Sequence, residues 1–322
     1  MDFPFNSPVH QIKDALFTDQ KIELYLKRDD LIHPLISGNK WRKLKYLLAE
    51  AQFQHKTHLV TFGGAFSNHL LATASAGATF GFKTTGFVRG EEVNNDTLFM
   101  CSLLGMQLIY IDRNRYQYKK ELFLAHFFND LEAFFIDEGG ASAAAALGCS
   151  ELVDELPETY DHIFCACGTG TTAAGIINGL AEKGLSTQFH AIPVLKNSAW
   201  MQQEIEKYLL KEASFRLHTN YDFGGYAKTT PELLLFVQKF IAATGILIDP
   251  VYTGKMLFAI YDLATKNQFL PGSKILAVHT GGTFGLLGMK DKFSKPYRRY
   301  QCFFYQVKND KTKFYNRLKS VG

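Results

Sequence analysis

Two lysines three residues apart, Lys40 and Lys43, follow Gly38 at the start of a repeating apolar pattern made by Leu44, Leu47, Leu48 and Ala51. That period predicts an amphipathic helix opening after Gly38, with both ammonium groups on one face near its N-terminus. Cations there oppose the helix dipole, so a nearby anion is expected. Taken alone, such a pair is more often a solvated face. A second segment could hold the anion: Gly168-Thr169-Gly170-Thr171-Thr172 combines glycines that let backbone N–H groups converge, hydroxyl donors, and entry into a helix. It is not a Walker loop, because no Gly-Lys-Ser/Thr follows. The letters Gly168-x-Gly170-x-x-Ala173 match a dinucleotide fingerprint, yet the next strand, Phe189-His190-Ala191-Ile192-Pro193-Val194-Leu195, has no carboxylate to hold a ribose. A lone phosphate monoester fits better.

The elements that must position these groups alternate along the chain. Strand patterns fall at 24–27, 58–61, 83–88, 107–111, 133–136, 162–167, 189–193 and 274–279. Helical patterns fall at 40–51, 67–80, 94–104, 115–129, 141–156, 172–183, 200–212, 231–244 and 254–266. Such alternation predicts an α/β fold with mainly parallel sheets covered by helices. Ligands in such folds sit beyond the carboxyl ends of strands. Four glycine turns lie there: Gly63-Gly64, Gly139-Gly140, Gly168-Thr169-Gly170 and Gly281-Gly282.

Composition narrows the class. The chain has 322 residues, 47% hydrophobic and 20% charged, an ordinary globular balance with room for two domains. No apolar run reaches a membrane span, and the polar, proline-bearing start does not resemble a signal peptide, so a cytoplasmic location is expected. The five cysteines, Cys101, Cys149, Cys165, Cys167 and Cys302, lack metal-ligand spacing; no metal is expected and reduced thiols are. From Lys290 onward ten Lys or Arg face two Asp, interleaved with aromatics, and 302–307 reads as a strand. A nucleic-acid surface there is the less favoured reading.

A lone phosphate, an early lysine and several polar turns suggest pyridoxal 5'-phosphate, which needs an imine-forming amine, a phosphate cup, and partners for its ring nitrogen and phenolic oxygen. Six ordered segments then carry a resemblance: 26–30 (Leu-Lys-Arg-Asp-Asp), 37–44 (Ser-Gly-Asn-Lys-Trp-Arg-Lys-Leu), Ser67-Asn68-His69, 168–175, 249–255 (Asp-Pro-Val-Tyr-Thr-Gly-Lys) and His279-Thr280-Gly281-Gly282. The chain resembles the D-cysteine desulfhydrase and 1-aminocyclopropane-1-carboxylate (ACC) deaminase family, within the tryptophan-synthase-beta-like, fold type II pyridoxal-phosphate enzymes.

That resemblance implies two domains, a large cofactor-binding one from 1–45 plus 160–322 and a small one at 46–159, in a homodimer acting on a small amino acid. It implies Lys40 as the Schiff-base lysine and Lys43 as a phosphate partner beside Gly168, Thr169, Gly170, Thr171 and Thr172. It gives Asn68 to the phenolic oxygen, Thr253 to the ring nitrogen, and Ser67 either to the substrate's carboxylate or to proton transfer. Tyr226 and Tyr252 match the family's active-site tyrosines. The segment 222–228 departs from the family, lacking its Pro-Gly-Tyr-Gly run. ACC deaminases resemble one another in placing Glu where Thr253 stands, so the resemblance implies α,β-elimination from D-cysteine to pyruvate, sulfide and ammonia. ACC deamination to 2-oxobutanoate is the alternative, and a non-catalytic ligand- or nucleic-acid-binding protein a lesser one. His69 and His279 read as structural histidines.

Overall fold

The computed structural model describes residues 5–294, of which those up to Gly288 belong to one compact unit. Among the described residues ten strands form two sheets. The first has the order β1 (Val9–Ile12), β2 (Glu23–Lys27), β10 (Lys274–Val278), β7 (His162–Cys167), β8 (Gln188–Pro193), β9 (Arg216–Leu217). All its neighbours are parallel except β1 against β2. The second, wholly parallel, runs β5 (Met106–Ile111), β4 (Lys83–Arg89), β3 (His58–Gly64), β6 (Ala133–Ile136). In β3, Leu59, Val60 and Phe62 are all buried, as expected of a strand covered on both faces.

Helices α1 (Ala15–Asp19), α2 (Asn39–Phe53), α3 (Asn68–Phe80), α4 (Asp96–Leu103), α5 (Lys119–Phe127), α6 (Ala143–Asp154), α7 (Thr171–Glu182), α8 (Met201–Glu206), α9 (Pro231–Thr244) and α10 (Thr253–Thr265) supply the cover. A short α11 (Lys290–Ser294) belongs to a separate unit beginning at Met289. The predicted α/β class with mainly parallel sheets holds. Among the described residues no helix is long and apolar enough to cross a membrane.

One packing device sets the site. Helix α6 lies between α2 and α7 at distances only glycine permits: a Cβ on Gly148 would sit 1.9 Å from the Arg42 carbonyl oxygen, and one on Gly175 2.3 Å from that of Ala146. Without side chains at the crossings, the N-terminal turns of α2 and α7 are drawn toward the same point. Trp41, Leu44, Leu47, Leu48 and Ala51 seal the other face of α2 on Leu59, Ala72 and Ile136.

Some expected boundaries shift. The helix predicted over 200–212 stops at Glu206, because the Asn178 amide captures the chain beyond it, donating to Tyr208 O at 2.9 Å and accepting from Leu210 N at 2.9 Å. The helix predicted over 115–129 starts at Lys119, after Asp112 Oδ1 turns the chain by accepting from Asn114 and Arg115 N–H groups. The strand predicted to reach His279 ends at Val278. The strand expected at 302–307, and nearly all of the basic tail, lie outside the described residues.

Candidate active site

Helix α2 begins on a strained, glycine-only turn. Gly38 has φ +63° and presses on the turn after β10, where a Cβ would lie 1.8 Å from the Thr280 carbonyl oxygen. Its N–H donates to Asp29 O at 3.0 Å, and Asn39 N–H to Thr280 O at 3.3 Å. Behind this turn Arg42 is fixed in a buried ion network. Its Nε and Nη2 donate to Asp29 at 2.6 and 2.7 Å, its Nη1 and Nη2 to Glu155 at 2.8 Å each, and Lys27 Nζ adds a 2.7 Å bond to Glu155. The rigid helix start leaves Lys40 half-buried in a pocket lined by Ser37, Asn68, Leu71, Gly282 and Phe284. Burial, and then the neighbouring Lys43 ammonium, lower the Lys40 amine to about 7.

Lys43, expected on the same face, is buried rather than solvated. Its Nζ donates to Gly139 O at 3.0 Å and Thr169 Oγ1 at 3.3 Å, reaching the 168–172 turn that follows β7. Burial also pulls this ammonium below its ordinary value. Gly170, at φ +74°, caps α7, and Thr171 and Thr172 are buried in its first turn, whose N–H groups have no intrahelical acceptors. Asn39 Nδ2 crosses to Thr172 Oγ1 at 2.9 Å, tying the two helix starts together.

Ser67 caps α3, its Oγ accepting from His69 N at 3.2 Å and Leu70 N at 3.3 Å. Its lone pairs are thereby committed and its O–H remains a donor. Asn68 shares the Lys40 pocket and packs on Gly282, where a Cβ would lie 2.6 Å from Asn68 Nδ2. His69 is not a fully satisfied structural histidine. Thr61 Oγ1 donates to Ile136 O at 2.9 Å and so must accept from His69 Nε2 at 2.8 Å, which leaves Nδ1 a lone-pair acceptor. That Nδ1 is buried without a partner, and burial together with Lys40 and Lys43 holds the ring well below its ordinary value, hence neutral. His279, by contrast, is structural: Nε2 donates to Leu247 O at 2.7 Å and Nδ1 accepts from Gly281 N at 3.2 Å.

The start of α10 supplies the last wall. Tyr252 lies over the 168–172 turn, since a Cβ on Gly168 would sit 3.3 Å from its hydroxyl oxygen. Its ring meets that of Tyr226 edge-on, centroids 6.1 Å apart. Burial and then the Tyr226 phenol push the Tyr252 phenol well above its ordinary value. Thr253 is fully buried; Oγ1 accepts from Asp249 N at 2.9 Å and donates to Asp249 Oδ2 at 2.8 Å. The Asp249 carboxylate also receives the N–H groups of Val251 and Tyr252 at 2.7 Å each and of Thr253 at 3.1 Å.

Lys40 and Asn68 share one pocket, and Lys43 is linked through Thr169 and the 168–172 loop to Tyr252. Asn39, Asp249 and the His69 lone pair were not singled out by the sequence. For Asp249 a signal existed: an Asp four residues ahead of Thr253, at the mouth of an apolar helix pattern, is a capping signature.

A lysine amine lowered to about 7 in a pocket with Ser37, Asn68 and Gly282, and a buried second lysine that reaches the glycine-threonine turn opening α7, suit an α/β enzyme that binds a phosphate-bearing carbonyl cofactor. The chain belongs to the pyridoxal-phosphate dependent enzyme family, whose model matches residues 3–281. A putative 1-aminocyclopropane-1-carboxylate deaminase of Thermotoga maritima is 32% identical over 305 residues, covering 87% of this chain and 95% of that protein. The bifunctional D-cysteine desulfhydrase/1-aminocyclopropane-1-carboxylate deaminase, mitochondrial, of Arabidopsis thaliana is 30% identical over 302 residues, 84% of this chain and 75% of that one. A crystal structure of an ACC deaminase homologue superposes with a TM-score of 0.83 at 29% identity, covering 91% and 94% of the two chains. The protein is thus a pyridoxal-phosphate-dependent enzyme of the ACC deaminase and D-cysteine desulfhydrase family. The residues present suit that cofactor: an amine lowered to about 7 and a buried cation beside a helix N-terminus.

Proposed function

We propose that this enzyme performs α,β-elimination on a small amino acid, D-cysteine above others, releasing pyruvate, sulfide and ammonia. The observation that carries the reading is the Thr253 hydroxyl, where a carboxylate would instead keep a ring nitrogen protonated. Its one proton is given to Asp249 Oδ2, which keeps the Thr253 N–H when that proton turns toward an unprotonated nitrogen.

When bound, pyridoxal phosphate supplies the electron sink for the bond broken at the substrate α-carbon. Lys43 and the N–H and hydroxyl groups of 168–172 bind its phosphate, Asn68 its phenolic oxygen, and Lys40 its carbonyl carbon. Lys40 Nζ, lowered to about 7, also takes the α-proton when neutral. The free Ser67 O–H orients the substrate carboxylate, a better use of a donor than proton transfer. Tyr252, kept protonated by burial, delivers a proton to the departing sulfur with Tyr226 beside it.

ACC deamination is the second reading, favoured by the name of the Thermotoga relative. In the same proposal residues 1–45 and 160–322 form a large domain and 46–159 a small one, a reading supported by the division of strands between the two sheets. The chain acts as a homodimer, which light scattering checks, and in the cytoplasm, a reading supported by the four free, buried cysteines among the described residues. The deciding experiment compares pyruvate formation from D-cysteine or β-chloro-D-alanine with 2-oxobutanoate formation from ACC, with K40A as the inactive control. Faster turnover of ACC would refute the elimination reading.

A further inference from the structure

Lys255 is buried two residues beyond Thr253, in the first turn of α10, where a cation opposes the helix dipole. Its ammonium meets three backbone carbonyl oxygens: Asp222 at 2.7 Å, Gly225 at 2.8 Å and Val194 at 3.4 Å. Only an ammonium brings several donors to one point, and a fully buried cation persists only where dipoles replace its water.

The ligands are not scattered. Val194 follows β8, and its N–H donates to Cys167 O at 3.0 Å, next to the phosphate loop. Asp222 and Gly225 belong to the loop that carries Tyr226. Four of its residues are left-handed, Phe223 at φ 51°, Gly224 at 91°, Gly225 at 112° and Ala227 at 55°. Two of these are not glycine, so the conformation is strained and must be over-determined by its surroundings. Asp222 Oδ1 accepts from Gly224 N at 2.7 Å and Asp222 O from Gly225 N at 2.9 Å, but both are bonds within the loop. The Lys255 bonds tie it to the helix that bears Tyr252.

We propose that Lys255 acts as an internal monovalent cation, its ammonium occupying a cluster of carbonyls from Val194, Asp222 and Gly225 and thereby holding Tyr226 against Tyr252. It is a positioning residue, and its effect on turnover rests on the proposed roles of the two tyrosines. The cation site itself does not depend on them.

The test is K255A, which leaves the carbonyls and a space sized for a small cation. Trypsin cleavage of the native protein after Lys228, an exposed residue two beyond Tyr226, reads loop order without substrate. K255A is expected to be cut about tenfold faster, and ammonium chloride to restore protection that tetramethylammonium chloride at equal ionic strength does not. In the cofactor-loaded enzyme, kcat on D-cysteine should fall about tenfold and recover with ammonium, while cofactor absorbance is unchanged. Unchanged cleavage, or fast cleavage indifferent to ammonium, overturns the cation site. Protection restored by ammonium with kcat still depressed overturns the positioning role. If K255A does not fold, K255M carries the proteolysis, and wild-type resistance in that variant refutes the proposal. A wild-type enzyme inert toward D-cysteine would remove the elimination reading and leave the proteolysis decisive.

Discussion

The double duty of Thr253 can be separated by one conservative substitution. Thr253→Val keeps the shape of a fully buried side chain and deletes two bonds, from Asp249 N at 2.9 Å and to Asp249 Oδ2 at 2.8 Å. A buried N–H left unpaired costs about 1–3 kcal/mol, and a hydroxyl bond to a charged carboxylate is worth about 1.5–3 kcal/mol. The second loss falls at the low end, because three backbone N–H groups still serve Asp249. The cofactor-free variant should therefore lose about 2.5–4.5 kcal/mol in urea unfolding, with Thr253→Ser recovering most of it. Titration with pyridoxal phosphate then isolates the ring contact, where a further loss of about 1 kcal/mol, roughly fivefold in affinity, is expected. A cofactor-free stability within about 0.5 kcal/mol of wild type would refute the capping argument, since that is the range of an inconsequential surface change. Unchanged affinity would refute the ring contact.

Three other expectations rest on the same physics. His162, His190 and His218 form a hydrogen-bonded chain, Nδ1 to Nε2 at 3.1 and 2.9 Å, and burial followed by the neighbouring His218 and His162 lowers His190 to about 2. The unfolded chain protonates these rings near their ordinary 6.5 and the folded one does not, so stability is full above that pH and falls as pH drops below it toward about 2; H190Q should flatten that slope in urea melts. Because burial first and Lys43 second depress Lys40, K43M should move the pH profile of amine labelling at Lys40 upward, and an unmoved profile would contradict the charge coupling. Gly38→Ala should cost about 2–4 kcal/mol or abolish folding, since it adds left-handed strain to steric overlap with Thr280; a stable variant with wild-type cofactor affinity would show that the turn can relax.

How much of this was legible depended on where the signal is stored. Strands β7 and β10 were readable because parallel strands buried on both faces need continuous apolar runs. Edge strands β1 and β9 escaped, one mixing His10 and Gln11 with two aliphatics, the other only two residues long. The glycine-threonine turn at 168–172 was visible since converging amides demand glycine, and the place of Lys43 on α2 followed from spacing. What stayed hidden uses main-chain atoms. The carbonyls of Val194, Asp222 and Gly225 around Lys255 leave no side-chain trace, because any residue has a carbonyl. The unpaired Nδ1 of His69 was equally unreadable, since it follows from Thr61 donating to a carbonyl on a different strand.

Lysines near helix N-termini link these observations. Lys40 and Lys43 in α2, and Lys255 in α10, each place a cation where the helix dipole repels it. Local electrostatics argues against all three, and such violations in a folded chain mark positions where something else compensates. The compensations differ in kind. At Lys255 the fold supplies them permanently through three carbonyl oxygens, so that lysine is structural in its energetics even though it organises the site. At Lys43 the fold supplies only the Gly139 carbonyl and the Thr169 hydroxyl. Lys40 is moved down to about 7, with burial and Lys43 both acting against its charge. A dianionic phosphate at the α7 N-terminus would offset the charge of Lys43, and bonding of Lys40 to a carbonyl would remove the second ammonium from the cluster. The unfavourable electrostatics of the cofactor-free site thus become part of the affinity for pyridoxal phosphate, because binding relieves a repulsion the folded chain otherwise carries.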